Sequence, residues 1–373
     1  MQAKKLRELL GAAIDWSFLI AEAAEHSVRP LLERHLRAGA ADSVPPEFAR
    51  KLADASRANT VRCLYLAAEL NRVMDEFASN SIHAIPYKGP VLAVQAYADI
   101  TAREFDDLDI IVRQRDVPKA HEILTHLGYR PRFPWIHSPQ ARKAMVPGEY
   151  NYRDEKRRIM LELHTELTLR HFPVPPGLDE FSRRLVRVDV AGHPTETFSA
   201  EDGLTALAIH GAKDFWERIV WVADISELIQ AHPRLDWDQA FRSADSVRGG
   251  RMLRLALALA SDLLDAPLPP EVVRIVRADS VACQVAERLK RHLLARDPQP
   301  SRAGERLRFR RQMVQGYFDG WRYAARLALA PAEEDWESLR APGRWRPFYS
   351  ALRPLRLLRR FGPSSRPEQH IPS

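Results

Sequence analysis

The sequence predicts an α+β protein in which a small mixed sheet is flanked by N-terminal and C-terminal helical regions. Two observations carry most of this. Apolar residues recur at three-and-four spacing before residue 80 and again after residue 200, which is the period of an amphipathic helix. Between them, within about 85 residues, three short apolar runs alternate with two helical stretches, the order of an α/β unit. A third observation sets the number of parts: 373 residues exceed what one hydrophobic core usually organises. The division expected is residues 1–80, helical; 81–199, the α/β core; 200–296, a helical domain; and 297–373, an Arg- and Pro-rich extension.

Each element has a local reason. Leu6, Leu9, Leu10, Ala13, Ile14 and Phe18, then Val28, Leu31, Leu32 and Leu36, form apolar stripes. Gly39 and Pro45 break the pattern. A long amphipathic helix then follows from Pro46 to about residue 78, with Leu52, Val61, Leu64, Val73 and Phe77 on its apolar side. The run His83-Ala84-Ile85-Pro86-Tyr87-Lys88, stopped by Gly89-Pro90, reads as a strand ending in a turn. A helix over 91–98 comes next. Asp107-Leu108-Asp109-Ile110-Ile111-Val112 is the clearest strand. Asp116 is expected to cap a helix over 117–127 that stops at Gly128. Ile159-Met160-Leu161-Glu162-Leu163-His164 is a further strand with polar residues interleaved. Helices are expected over 204–215, 219–230, 237–247, 252–264 and 270–294, with others around 313–329 and 348–358.

Composition excludes several classes. Apolar (45%) and charged (28%) fractions are those of a globular chain, not a disordered or fibrous one. Two cysteines cannot build a disulfide framework or a four-thiolate zinc site. No run of about 18 apolar residues is present, so no transmembrane segment is expected. Glu8 and Asp15 interrupt the first apolar run and no cleavage site follows, so the start does not read as a signal peptide and a cytoplasmic location is expected. Arg greatly outnumbers Lys, which suggests a GC-rich genome. Residues 301–373 carry a net charge of +8 out of the chain's +7, which leaves the preceding 300 residues at −1. The basic character belongs to the C-terminal segment, and the body does not read as a nucleic-acid surface.

The sharpest chemical feature is Asp107-Leu108-Asp109. Residues i and i+2 of a strand share one face, about 7 Å apart along the chain. Two carboxylates so placed can share hard divalent cations, which prefer oxygen ligands. Glu162 is the candidate third carboxylate, and His164 lies on its face. Asp106 points the other way and reads as a solvated neighbour. Beside this strand, Lys88-Gly89 sits at a strand-to-helix turn, where glycine lets backbone approach a phosphate and helix N–H groups meet an anion. Pro90 removes one such donor. The pattern is not a P-loop.

Together these residues resemble the uncharacterised nucleotidyltransferase family of the DNA polymerase beta-type superfamily. The similarity runs through Ile85-Pro86-Tyr87-Lys88-Gly89, Tyr97-Ala98-Asp99, Arg103, Asp107-Leu108-Asp109-Ile110-Ile111-Val112 and Leu127-Gly128-Tyr129. It extends to Glu162-Leu163-His164 and to His210, Trp216, Trp221 and Asp224, and at the other end to Glu25-His26-Ser27-Val28-Arg29-Pro30. The match spans roughly residues 10–235. The resemblance implies a polymerase beta-type nucleotidyltransferase core over 81–199. It also implies transfer of a nucleoside monophosphate from an NTP, with a slight preference for ATP, to an acceptor nucleophile. Two Mg²⁺ ions, for which Mn²⁺ can substitute, would be held by Asp107, Asp109 and Glu162, with Glu162 alternatively the base. Lys88 and Gly89 would bind the phosphate tail.

Further positions keep two readings. Arg103 can clamp a triphosphate, or form a surface ion pair with Glu104 or Asp106. His164 and His210 each either support the site residues from behind or contact the acceptor. Lys213 can reach the phosphates across a cleft, with His210 one turn before it. Asp224 is expected to tie helices together through Arg218 or Lys213. Trp216 and Trp221 read as core, although one could stack on a base. His121, His126, His137 and His171 lack zinc-site spacing, and Cys63 reads as a buried apolar residue. Arg353, Arg356, Arg359 and Arg360, interleaved with Leu355, Leu357 and Leu358, can meet RNA, an anionic membrane or an acidic protein, or pack on the body. The acceptor expected is a small molecule or peptide in a biosynthetic pathway. The alternatives are a toxin-like transferase acting on tRNA, a metal-dependent phosphotransferase, and a catalytically silent nucleotide-binding or scaffold protein.

Overall fold

The computed structural model describes residues 2–11, 13–132, 148–167, 181–295 and 303–314. The protein is α+β. It opens with helices α1 (Gln2–Leu10), α2 (Trp16–Glu25), α3 (Arg29–Gly39) and α4 (Pro46–Ser79). Helix α2 starts where the Asp15 carboxylate accepts the Phe18 N–H at 3.0 Å. Pro46 opens α4 because its missing N–H is one of the unpaired donors of a first turn. One side of α4 buries Leu52, Cys63, Leu66, Leu70, Val73 and Phe77. Cys63 is fully buried, as its surroundings in the sequence predict, and burial pushes its thiol up to about 12.

The sheet follows, from β1 (Ala84–Pro86), β2 (Asp107–Val112), β3 (Arg130–Pro131), β4 (Glu149–Asp154) and β5 (Ile159–His164), with α5 (Gly89–Tyr97) after β1 and α6 (Val117–His126) after β2. Its order is β1-β2-β5-β4-β3. Only β2 and β5 run parallel; the remaining neighbours are antiparallel, so the sheet is mixed as expected. A separate hairpin pairs β6 (Val186–Val190) with β7 (His193–Thr197). Strands β3, β4, β6 and β7 were not expected. In β4, Glu-Tyr-Asn-Tyr-Arg-Asp, the buried positions are Tyr150, Tyr152 and Asp154, and no aliphatic residue marks the period. Asp116 makes no capping bond to α6, whose first turn carries Pro118 instead. Gly128 ends that helix at a φ of +99°.

The two faces of the sheet meet different surroundings. Leu108, Ile110, Val112, Tyr150, Tyr152, Leu161 and Leu163 pack with the buried side of α4 and with α6. The other face carries Ile85 and Ile111 into a core shared with the C-terminal helices, and at one end it is polar. Those helices are α7 (Ala200–Lys213), α8 (Ile219–Ala231), α9 (Trp237–Ser246), α10 (Gly250–Leu264), α11 (Pro270–Ala278), α12 (Ser280–Leu293) and α13 (Ala303–Met313). The single helix expected over 270–294 is two. Asp279 divides them and caps the second by accepting the Ala282 N–H at 3.0 Å. Among the described residues no helix is long and apolar enough to cross a membrane. His137, His171, the helices expected around 313–329 and 348–358 (but for Met313 and Val314) and the Arg-rich run 353–360 lie outside the described residues.

Candidate active site

The polar end of the sheet is built by register. Asp109 of β2 lies opposite Glu162 of β5, and Ile111 opposite His164. On the far side of β5, Glu149 pairs with His164 and Asn151 with Glu162. Because alternate strand residues share a face, Asp107, Asp109, Glu162, His164, Glu149 and Asn151 all project from one side. His164 Nε2 lies 3.1 Å from Asp109 Oδ1 and 3.4 Å from Glu162 Oε2. Asp109, Glu162 and His164 each offer a ligand atom, all within 4.8 Å of one another. His164 also stands edge-on to the Tyr87 ring, with centroids 5.4 Å apart.

Lys88 enters this cluster from the end of β1. Its Nζ is 2.6 Å from Asp109 Oδ1 and 3.4 Å from His210 Nδ1. Gly89 makes the approach possible. Its φ is +53°, and a Cβ there would sit 3.3 Å from the Asp107 carbonyl oxygen, so a side chain would meet both strain and backbone. The Thr197 hydroxyl donates to the Pro86 carbonyl at 2.7 Å and fixes the strand end.

The charges do not balance locally. Burial alone would raise the Asp109 carboxyl, but Lys88 and His164 hold it well below the usual range. Among the described residues Asp107 has no direct ion pair of this kind. Its burial, with the Asp109 charge added, pushes it up to about 7. Burial works against the Lys88 ammonium, yet Asp109 and Asp107 more than offset it and raise its pKa. His164 is likewise raised against its burial by hydrogen bonds to Asp109 and Glu162. His210 is held well below 6.5 by burial and by Lys88, which keeps it neutral. Three carboxylates therefore face one lysine and one histidine. Oxygen donors in surplus are the set a hard divalent cation fits.

Helix α7 roofs a cleft of about 150 Å³ beside the cluster. Tyr87, Glu149, His164, Glu166, His210 and Lys213 are among its walls. Lys213 forms an ion pair with Glu149, so at present its ammonium is held by β4. Glu149, Asn151 and Glu166 were missed from sequence. The polar positions of Glu149-Tyr150-Asn151-Tyr152 alternate, and that was the available signal.

Arg103 is not among these walls. Its guanidinium is buried in a bidentate pair with Asp224 of α8, at 2.8 and 2.9 Å. The Tyr97 hydroxyl donates to the same carboxylate at 2.8 Å. Both expectations for Arg103 give way to this pair, since the fork that would grip a phosphate is taken by a carboxylate. The partner expected for Asp224 is corrected likewise. Glu104 instead binds Arg29, at 2.8 and 3.1 Å. Trp216 is fully buried and packs its indole on Gly211. Trp221 meets His210 edge-on at 5.4 Å. Asp106 is exposed, as expected, and His121 is buried against Tyr152.

A family model described as uncharacterised nucleotidyltransferase matches residues 12–265. The chain belongs to that family. Membership in the nucleotidyltransferase family makes it a nucleotidyltransferase, with an NTP and an acceptor as substrates. Among solved structures, it is similar to the antibiotic-resistance factor ANT(2'')-Ia, at 12% identity, 49% of this chain, 91% of that chain and a TM-score of 0.35. It is similar as well to an antigenic nucleotidyltransferase-like protein from Paracoccidioides brasiliensis, at 15% identity, 58% of this chain, 93% of that chain and a TM-score of 0.35. No protein of curated function shows significant similarity.

Proposed function

We propose that the protein transfers a nucleoside monophosphate from an NTP, ATP first among the four, to a small-molecule or peptide acceptor in a cytoplasmic biosynthetic pathway. Asp107, Asp109 and Glu162 would hold two Mg²⁺ ions, which Mn²⁺ can replace. Bound divalent cations neutralise triphosphate charge and lower the pKa of an attacking hydroxyl. The observation that carries the reading is the convergence of Asp109, Glu162 and His164 within 4.8 Å on a parallel strand pair, in a chain of the nucleotidyltransferase family.

The chain's own residues then have separate tasks. Lys88, at the start of α5 behind Gly89, offers its ammonium to the phosphate tail. Glu162 is the third ligand or the base that takes the acceptor proton. His164 orients Asp109 and Glu162 through Nε2. The acceptor oxygen attacks the α-phosphorus, its proton leaves to the base, and pyrophosphate departs. The first 300 residues carry a net charge of −1 and so offer little basic surface to a large polyanion, which favours a small molecule or peptide over tRNA as acceptor.

The test is pyrophosphate release from each NTP, with and without Mg²⁺, on the wild type and on Asp109→Asn. Release that needs both Mg²⁺ and Asp109 supports the assignment. Release of a nucleoside diphosphate would make the protein a phosphotransferase. Wild-type rates in Asp109→Asn would remove the metal site, and no response to any NTP would favour a silent scaffold.

A further inference from the structure

Lys88 sits in an unusual place for a phosphate ligand. It is nine-tenths buried, with Nζ on the one carboxylate that the metal reading most requires. Among the described residues the ammonium has two polar partners, Asp109 and His210, for three N–H bonds. His210 belongs to α7 and lines the cleft, so the ammonium lies at the boundary between carboxylates and cleft. The Tyr87 ring is 5.5 Å from Nζ. The titratable groups around Lys88 are thus Asp109, Asp107 and Glu162 from the sheet, His210 from α7, and Asp214 at the end of that helix, whose carboxylate lies 3.3 Å from the same His210 nitrogen.

We propose that Lys88 is an exchangeable counter-ion. In the free protein it neutralises Asp109; on nucleotide binding it moves to the triphosphate tail and leaves that carboxylate open to a divalent cation. The proposal rests on the nucleotidyltransferase reading above and adds its binding order. A single lysine cannot serve Asp109 and a phosphate equally well at once, because each contact desolvates and directs the same charged head. Nucleotide and cation then strengthen one another's binding, and each alone binds weakly. Such a coupling is a free energy shared between two sites and is reciprocal.

The experiment uses the full chain and two variants. Binding of a non-hydrolysable α,β-methylene ATP is measured in EDTA, and binding of Mn²⁺ alone is measured by electron paramagnetic resonance. Lys88→Met is expected to weaken metal-free nucleotide binding at least about fivefold and to tighten binding of Mn²⁺ alone by a similar factor. Asp109→Asn frees Lys88, so it is expected to tighten metal-free nucleotide binding at least about fivefold. The opposite signs separate exchange from a structural role, which would weaken nucleotide binding in both variants. Weakening in both, or no change in either, overturns the proposal. If Lys88→Met does not fold, the direction of change in Asp109→Asn decides alone. Failure of the wild type to bind the analogue even with Mg²⁺ overturns the nucleotidyltransferase reading itself. Tight Mg²⁺-dependent binding with no variant effect overturns only the exchange.

Discussion

Two buried ionic clusters lie near β2, one reached from the loop before it and one on the strand itself, and they differ in stoichiometry more than in composition. Around Arg103 one guanidinium meets one carboxylate in a bidentate pair, and Tyr97 satisfies a remaining lone pair of Asp224. Around Lys88, one ammonium and His164 serve Asp107, Asp109 and Glu162. The first cluster is closed. It joins the loop before β2 to α8 and leaves nothing for a ligand. The second keeps negative charge in excess, at a cleft, where the fold bears the cost of unpaired carboxylates. Both draw on residues of the family resemblance, so charged motif residues divide here between fastening the fold and forming the site.

The largest expected contrast is in turnover. Asp109→Asn should lower Mg²⁺-dependent pyrophosphate release by at least about 1000-fold, since loss of several kcal/mol of transition-state charge stabilisation is tenfold per 1.36 kcal/mol. Steady-state assays on folded protein measure it. A variant within tenfold of the wild type would erase the distinction between the clusters.

Arg103→Met tests the other side by stability. It strands Asp224, which is fully buried, and breaking a buried pair by removing one partner costs about 3–5 kcal/mol. Chemical denaturation should find that loss, while Mn²⁺ affinity of the folded fraction stays as in the wild type. A folded variant of unchanged stability that bound nucleotide poorly would return Arg103 to the phosphates.

The open cluster also has a pH signature. The folded pKa of Asp107, about 7, lies above the ordinary 3.8. Protonation therefore favours the metal-free fold, and this contribution is complete below about pH 4 and lost as pH rises through 7. Asp107→Asn should stabilise the metal-free protein at pH 8 by about 1–2 kcal/mol, after allowance for the partial exposure of Asp107. The gain should shrink as the pH approaches 4. A gain independent of pH would show that repulsion at Asp107 is not its origin.

How much of this was legible in the sequence depended on the kind of signal. Strand β2 was legible because its aliphatic run is continuous and its acids share a period of two. Helix α4 was legible because its stripe is long. Strand β4 was not, since two tyrosines and Asp154 rather than aliphatics fill its buried positions, and Glu149 was missed with it. The Arg103–Asp224 pair spans 121 residues, and no local spacing reports a contact of that range. The split at Asp279 was hidden because the apolar period continues across it, although Asp279 before Ser280 was a readable cap. Placement of Asp107, Asp109, Glu162 and Lys88 near one another was legible only by combining strand parity with the family resemblance.

The smallest expected effect belongs to the pair between Lys213 and Glu149, which bridges α7 and β4 across the cleft. Both side chains are partly exposed, at 34% and 27%, so solvent screens the pair and its net worth is about 1 kcal/mol or less. Lys213→Met should therefore leave the denaturation midpoint nearly unchanged, unlike Arg103→Met. Its effect should fall on the acceptor, because Glu149 lines the cleft and loses its counter-charge. With acceptor varied at saturating NTP, KM for a cationic acceptor should fall and kcat should hold. A stability loss as large as that of Arg103→Met would mean that the Lys213 pair fastens the fold as well, and the line between the closed and the open cluster would have to be redrawn through the cleft.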